Sequence, residues 1–241
     1  MIGENFSGRS MTVSENEFLN YLDTWLADLP SLAAGDLFAQ PEKTALLSVD
    51  LTNAFCKEGN LASPCAAALI APATALMRSA WEAGVRHFAL LQDCHRPDAL
   101  EFGAFAPHAV CGTPEAEAVD EIKALPFYDQ MTILTKNAVV PGENSGLDAW
   151  LAERPQVDTF IIVGDCTDIC AYLLAMHLRG KANAYHLPWR VIVPENCVGT
   201  YDLPLDTARK IGAMPHPGDL LHQVFLYHMA LNGIEVVKEI H

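Results

Sequence analysis

Short apolar runs alternate with longer amphipathic stretches along the chain from residue 43 onward. Runs typical of β-strands, bounded by turn residues, lie at 44–49, 86–91, 131–135, 159–163, 190–193 and 235–237. Apolar residues at helical spacing lie at 66–83, 115–124, 146–153, 168–178, 205–211 and 218–231. Strands that alternate with helices predict parallel βαβ units. We therefore expect an α/β fold, a three-layer α/β/α sandwich around a doubly wound, mostly parallel, six-stranded sheet.

The first 42 residues lie outside this alternating pattern and predict a helical extension. Their apolar positions recur at helical spacing, at Phe18, Leu19, Leu22, Trp25, Leu26 and Leu29. Pro41 closes the extension, so residues 43–241 are expected to form the main domain. With 241 residues, 51% of them hydrophobic, the chain is long enough to bury one sizeable core.

Charge and cysteine content narrow the classes of partner and compartment. Asp and Glu number 30 against 15 Lys and Arg, and no basic segment is present, which argues against a nucleic-acid partner. No apolar run approaches the length of a membrane span, and the N-terminus lacks the pattern of a signal peptide. Seven cysteines are scattered without a framework spacing, as in a reducing cytosol. We expect a cytoplasmic protein that binds neither nucleic acid nor membranes.

Reactive side chains follow four of the predicted strands. The first strand ends at Asp50 and the second at Asp93, with His95 two residues further on. The third ends at Lys136, and the fourth leads through a glycine turn to Cys170 at a helix start. The carboxyl ends of parallel strands meet at one edge, where such sheets bind ligands. A lone cysteine at such a position is more often an inert packing residue, but the carboxylates, imidazole and ammonium at the other strand ends favour a nucleophile.

The chemistry of that group is consistent with a cysteine nucleophile. The helix dipole and a neighbouring ammonium both favour the thiolate form of Cys170. A carboxylate can accept the thiol proton and later return it to a leaving group. Backbone N–H groups at the start of the Cys170 helix could hold a developing oxyanion.

Residues 93–114 form a long, loop-like stretch that carries several metal-ligand types. Asp93, His95, His108 and Glu101 suit a hard or borderline divalent metal such as Zn²⁺, Fe²⁺ or Mn²⁺. From spacing alone, a surface loop with unrelated histidines fits equally well. Four further histidines are not expected to bind metal: His177, His216, His222 and His228.

Five motifs, in order over about residues 43–238, resemble the isochorismatase-like cysteine hydrolase superfamily and, within it, the nicotinamidases. Residues 45–55 (ALLSVDLTNAF) resemble the opening strand with its Asp-x-x-Asn-x-Phe ending. Residues 92–95 (QDCH) resemble the Asp-x-His metal motif, and 101–114 the Pro-His-Cys-x-x-Gly-Thr block. Lys136 follows a strand as the family lysine does. Residues 164–170 (GDCTDIC) resemble Gly-x-x-Thr-Asp-x-Cys, in which the last cysteine is the nucleophile.

The resemblance implies an amide hydrolase and assigns roles to these residues. Cys170 would attack the amide carbonyl, Asp50 would shuttle the proton, and Lys136 would hold both groups. A thioester would form and water would hydrolyse it. The backbone N–H groups of Cys166 and Cys170 would form the oxyanion hole, with a cis peptide just before Cys166.

The resemblance also implies a metal, a substrate and self-association. Asp93, His95 and His108 match nicotinamidase metal ligands, and Glu101 matches a fourth ligand of some members. Zn²⁺ is the first candidate, with Fe²⁺ and Mn²⁺ as alternatives, and in that group the metal orients the substrate ring. Phe55 and Phe105 match aromatics that sandwich the ring. The implied substrate is nicotinamide, and the family implies a homo-oligomer.

Departures from the family pattern leave the substrate open. Asp165 and Cys166 replace small apolar residues, and Ala109 stands where the motif usually has cysteine. Two alternatives therefore remain. The chain could be a ureido or carbamoyl amidohydrolase of the same superfamily, or a non-catalytic thiol or metal-binding sensor that kept the pocket.

Overall fold

A parallel sheet of seven strands forms the centre of the protein, for which the computed structural model describes residues 13–241. The strands are β1 Thr44–Val49, β2 His87–Asp93, β3 Thr132–Lys136, β4 Thr159–Asp165, β5 Arg190–Pro194, β6 Val198–Gly199 and β7 Glu235–Val237. The predicted α/β fold is confirmed. The sheet has one strand more than predicted because β6, only two residues long, continues the pairing on β4 beyond the end of β5.

The strand order places the switch in winding direction at the middle of the sheet. The order is β3-β2-β1-β4-β5-β7, so the chain moves outward one way from β1 and the other way from β4. In doubly wound sheets, ligands bind beyond the carboxyl ends of the strands at such a switch. Here those ends are Val49 and Asp165.

Helices cover both faces of the sheet. The α-helices of the described residues are α1 Val13–Ala27, α2 Ala34–Leu37, α3 Asn53–Cys56, α4 Pro64–Ala68, α5 Ile70–Glu82, α6 Asp120–Lys123, α7 Leu147–Ala152, α8 Cys170–Tyr185, α9 Leu205–Ile211 and α10 Gly218–Leu231. Short 3₁₀ turns lie at Pro41–Lys43, Leu100–Gly103, Pro114–Ala116, Tyr128–Gln130 and Glu195–Cys197.

Alternate residues of each strand enter opposite cores. Leu46 of β1 packs with the apolar faces of α5 and α6, whereas Leu47 packs with those of α7, α8 and α10. Successive side chains of a strand point to opposite faces of the sheet. Every residue of β1 and β4 is buried, as expected for central strands covered on both faces.

Two predicted helices are interrupted in the structure for local reasons. The segment 66–83 is divided into α4 and α5 because Pro72 has no N–H to donate to the carbonyl four residues earlier. The segment 115–124 begins in the 3₁₀ turn Pro114–Ala116 and is α-helical only in α6. The residues between are held extended, since the Asn53 N–H donates to Glu117 O and the Val119 N–H donates to Leu51 O.

The predicted N-terminal extension packs against the end of the chain. Trp25 of α1 meets Tyr227 of α10 edge to face at 5.3 Å, and Gln223 donates to Asp23. Residues 1–12 of the extension lie outside the described residues, and the division into 1–42 and 43–241 stays a prediction. Within residues 13–241, no helix combines the length and the apolar character needed to cross a membrane.

Candidate active site

The ends of β1 and β4 approach each other so closely that residue 164 must be glycine. A Cβ on Gly164 would lie 1.9 Å from Val49 O, and its φ of +113° is unfavourable for other residues. The next peptide bond, Asp165–Cys166, is cis, as the family resemblance implies. Asp50 follows β1 in the left-handed region at φ 52°, which aspartate tolerates better than most residues. The crowded ends of these two strands therefore lie directly beside the reactive groups.

A thiol, two carboxylates and an ammonium converge beyond the strand ends. Lys136 Nζ lies 2.8 Å from Asp50 Oδ2, 2.5 Å from Asp93 Oδ1 and 3.6 Å from Cys170 Sγ. The Asp93 N–H donates to Asp50 Oδ1 at 2.8 Å. All four side chains are at most 5% exposed. The structure thus brings together the three residues with predicted catalytic roles and adds Asp93 to their group.

Burial and charge set the ionisation of this cluster. Burial raises the pKa of Asp50 to about 6, and the neighbouring Asp93 charge adds to the rise. Burial alone would lower the pKa of Lys136, but the charges of Asp50, Cys170 and Asp93 raise it well above its ordinary value. At neutral pH the ammonium is therefore charged, and Asp50 is mostly ionised and able to accept a proton.

The resting state of Cys170 differs from the sequence-based expectation of a favoured thiolate. Burial raises the pKa of this thiol well above its ordinary value, and the Lys136 charge lowers it only in part. The desolvation of a fully enclosed sulfur outweighs the nearby ammonium. Cys170 therefore keeps its proton until a base removes it, and a carboxylate oxygen of Asp50 lies within 4.8 Å of the sulfur.

The predicted metal ligands lie together beside the catalytic cluster. His95 Nε2 is 3.4 Å from Asp93 Oδ2 and 3.7 Å from Glu101 Oε1, and His108 Nε2 is 3.5 Å from Asp93 Oδ2. Both imidazoles are buried. Asp93 thus contributes one oxygen to the ammonium of Lys136 and the other to this group, which joins the two clusters through a single carboxylate.

The polar atoms of this group fit a divalent metal. The Nδ1 of His108 lies 2.8 Å from the Ala106 carbonyl, which can only accept, so Nδ1 carries the hydrogen and Nε2 presents a lone pair. The Nε2 of His95 and the Oε1 of Glu101 are buried without a hydrogen-bond partner among the described residues. Two imidazole nitrogens and two carboxylates suit Zn²⁺, Fe²⁺ or Mn²⁺. A metal site requires ligand atoms that are close together and have no hydrogen-bond partner in the protein.

Aromatic rings surround the two histidines. The ring centroids of Phe55 and Phe105 lie 5.4 and 6.4 Å from that of His108. Phe102, a residue with no predicted role, has its ring centroid 5.4 Å from that of His95. Phe102 follows the predicted metal ligand Glu101 directly in the sequence, and this adjacency is the signal by which it could have been predicted.

The loop at residues 166–170 presents two unengaged amides. The N–H groups of Ile169 and Ala171 both donate to Cys166 O, which folds the loop back on itself. Among residues 13–241, no acceptor pairs with the N–H of Cys166 or of Cys170. Cys170 is the first residue of α8, where amides point outward along a positive helix end. These two amides are therefore free to bind an oxyanion.

A disulfide between Cys94 and Cys111 joins the two segments that carry the metal group. The cysteine spacing predicted no disulfide framework, so this bond is a difference from expectation. Its cause lies in the local backbone, because the His95 N–H donates to Ala109 O and the Cys111 N–H donates to His95 O. The remaining cysteines are free thiols, at Cys56, Cys65, Cys166, Cys170 and Cys197.

The sequence resembles one protein family over most of its length. The "Isochorismatase domain" family matches residues 44–219. A relative, "Nicotinamidase 1" of Arabidopsis thaliana, is 35% identical over 159 residues. That match covers 61% of this chain, and the chain spans only 64% of the relative's length.

Solved structures of the same fold include several amide hydrolases. An N-carbamoylsarcosine amidase from Thermoplasma acidophilum superposes with a TM-score of 0.60 and 26% identity, covering 81% of this chain and 96% of that one. A pyrazinamidase of Pyrococcus horikoshii in complex with zinc gives a TM-score of 0.63 and 22% identity, covering 81% and 99%. The second likeness is one of fold alone.

Proposed function

Because this chain belongs to the isochorismatase family, whose model matches residues 44–219, we propose that it is a cysteine-dependent amidohydrolase that converts nicotinamide to nicotinate and ammonia. One observation carries the proposal. The Lys136 ammonium contacts the Asp50 carboxylate at 2.8 Å and the Cys170 sulfur at 3.6 Å, inside a buried cluster. A base, a nucleophile and a fixed cation within reach of each other are the parts that covalent acyl transfer needs.

The first half of the reaction forms a thioester. The Cys170 sulfur attacks the amide carbonyl carbon while its proton passes to Asp50. Oδ1 of Asp50 accepts the Asp93 N–H and Oδ2 contacts the Lys136 ammonium, and each oxygen has a second lone pair that can take the proton. The N–H groups of Cys166 and Cys170 bind the oxygen on which negative charge develops. As the carbon–nitrogen bond breaks, Asp50 gives the proton to the departing nitrogen, and ammonia leaves.

The second half returns the enzyme to its starting state. Water attacks the thioester carbon while one of its protons passes to Asp50, and the carbon–sulfur bond then breaks. The sulfur regains the proton, and the carboxylic acid is released. A pKa of about 6 suits Asp50 to both roles, because it can take up and release a proton near neutral pH. Lys136 stabilises the sulfur anion each time it forms.

The second cluster supports nicotinamide as the substrate. Asp93, His95, His108 and Glu101 would hold a divalent metal, with zinc as the first candidate. When bound, the metal would act as a Lewis acid that can accept the lone pair of a pyridine nitrogen. Phe55, within 5.4 Å of His108, offers an aromatic face beside it. A heteroaromatic amide would fill such a site, whereas a purely aliphatic one would leave the metal unused.

A carbamoyl amide is the second candidate substrate. The likeness to N-carbamoylsarcosine amidase covers 96% of that chain, and this activity also breaks an amide-type carbon–nitrogen bond. Ammonia release from nicotinamide and from N-carbamoyl amino acids, each with and without a chelator, separates the candidates. Loss of nicotinamide turnover on chelation supports the proposal. If only the carbamoyl substrates are hydrolysed, and the chelator does not change their turnover, the substrate is a carbamoyl amide and not nicotinamide.

The decisive test compares two cysteine variants. Cys170→Ala is expected to lower ammonia release by at least about 10⁴-fold, since it removes the nucleophile. Cys197→Ala, at a buried free cysteine outside the cluster, should leave turnover near that of the wild type. Equal activity in the two variants would refute the assignment of Cys170 as the nucleophile. A wild type that releases no ammonia from any amide would refute the proposed amidase activity and favour a non-catalytic sensor.

Cytoplasmic location and assembly into a homo-oligomer stay predictions. Three apolar side chains in and beside α9 are between 49% and 87% exposed: Leu205, Ile211 and Met214. Exposed apolar side chains of this kind support a contact with a second copy of the chain. Light scattering on the purified protein tests the oligomer directly.

A further inference from the structure

His216 bridges two segments that border the candidate site. Its Nε2 lies 2.8 Å from Asp168 Oδ2, and its Nδ1 lies 2.8 Å from the carbonyl oxygen of Tyr201. Its ring also stacks on the ring of Tyr201, with centroids 3.8 Å apart and planes 15° from parallel. The side chains of His216 and Asp168 are only 11% and 6% exposed. Both ring nitrogens of this largely buried histidine have a partner, so the contact is a fixed part of the fold.

The hydrogens of this contact can be counted. A carbonyl oxygen only accepts, so the Nδ1 of His216 must carry a hydrogen. The Nε2 therefore needs a second hydrogen between itself and the Asp168 carboxylate, held by one or the other partner. The contact is therefore a hydrogen bond to a carboxylate, of the stronger, charge-assisted kind.

Asp168 lies in the middle of the 166–170 loop, two residues from each of the proposed oxyanion amides. Two bonds to other segments attach at Thr167, from its N–H to Gly199 O at 2.8 Å and between its hydroxyl and His222 Nδ1 at 2.9 Å. The His216 bond attaches at Asp168, one residue closer to Cys170.

The anchor itself is rigid. The N–H of His216 donates to Leu203 O at 2.9 Å, and the N–H of Leu203 donates to His216 O at 2.8 Å. The 199–217 segment thus contacts the 166–170 loop through Gly199 and through His216.

We propose that His216, through Asp168, is a positioning residue that holds the Cys166 and Cys170 amides in place for the amide-hydrolysis reaction. The proposal rests on the amidase function proposed above. Neither side chain needs to touch the substrate. An oxyanion forms only in the transition state, so a displaced loop should lower kcat and leave KM nearly unchanged.

The experiment measures kcat and KM for nicotinamide in the wild type and five variants. His216→Ala and Asp168→Ala are each expected to lower kcat about 10- to 100-fold, the loss that a displacement of about 1 Å produces, with little change in KM. Asp168→Asn should stay close to the wild type, because its amide can still donate to a neutral Nε2. The double alanine variant should be no worse than either single one, since both remove the same bond.

A second histidine–aspartate pair serves as the matched control. His177 Nε2 lies 3.1 Å from Asp148 Oδ1, on the surface of α8 and away from the 166–170 loop. His177→Ala should keep wild-type kcat, with folding of every variant checked by urea unfolding. Where His216→Ala does not fold, Asp168→Ala carries the same test, because it leaves the histidine–tyrosine stack in place.

The outcomes separate this proposal from the one it rests on. An active wild type whose two single alanine variants keep normal kcat would overturn the positioning role alone, as would losses that multiply in the double variant or that appear only in KM. A wild type that releases no ammonia from any amide would overturn both proposals.

Discussion

Lys136 Nζ and Asp50 Oδ2 lie 2.8 Å apart, and neither side chain is more than 1% exposed. The same ammonium also neutralises Asp93. Removal of one partner from a buried ion pair leaves an uncompensated charge, which typically costs about 3–5 kcal/mol. We expect Lys136→Met to lower the free energy of unfolding by an amount in this range, measured by urea denaturation.

The control for this variant is Lys181→Met. Lys181 Nζ pairs with Asp148 at 2.8 Å near the surface, where such pairs contribute about 1 kcal/mol or less. Losses of similar size in the two variants would show that the buried lysine is not needed to neutralise the carboxylates.

The sequence alone predicted the sheet well because its central strands are fully buried. The apolar runs of β1 and β4 are continuous and end in turn residues, so their bounds match the structure within two residues. The strand β6 could not be predicted, because two residues carry no periodicity. Helix bounds failed where Pro72 or a loop hydrogen bond interrupts an otherwise amphipathic stretch.

Convergence of the strand-end residues was predictable for a topological reason. Parallel strands deliver their last residues to one edge, whatever the loops between them do. The disulfide and the His216–Asp168 contact lacked any such signal. Their partners are 17 and 48 residues apart, in loops whose paths depend on tertiary packing. The protonated resting state of Cys170 was also missed, because the degree of burial cannot be read from one cysteine.

The pKa of Cys170 predicts how this thiol reacts with alkylating reagents. Because burial raises the pKa well above its ordinary value, the thiolate fraction at pH 7 is very small. Below the pKa, that fraction grows about tenfold for each pH unit. We expect the rate of carbamidomethylation of Cys170 by iodoacetamide to rise steadily from pH 6 to pH 9, measured by peptide mass spectrometry.

Cys65 provides an internal reference in the same sample. It is the exposed free cysteine, so the reagent reaches it directly, and it is expected to react much faster than Cys170 at pH 7. A Cys170 rate that does not change with pH over this interval would indicate a thiolate at rest and contradict the assignment.

Metal content provides a test of the ligand set that is independent of activity. Glu101 Oε1 is buried without a partner and lies 3.7 Å from His95 Nε2. Glu101→Gln keeps the shape of the side chain but removes the negative charge, so metal affinity is expected to fall at least about tenfold. Mass spectrometry of metals after dialysis measures this loss. Glu143→Gln, at an exposed position, should retain the full metal content.

The Cys94–Cys111 disulfide should stabilise the folded protein. It closes a loop of 17 residues that includes Glu101 and His108. A cross-link of this span restricts the unfolded chain and stabilises by about 3 kcal/mol. The double variant Cys94→Ser/Cys111→Ser is expected to lose that amount in urea unfolding, and dithiothreitol should produce a similar loss in the wild type. Because the variant has no bond to reduce, dithiothreitol should not alter its stability. A variant as stable as the oxidised wild type would show that the backbone contacts of His95 hold this loop without the disulfide.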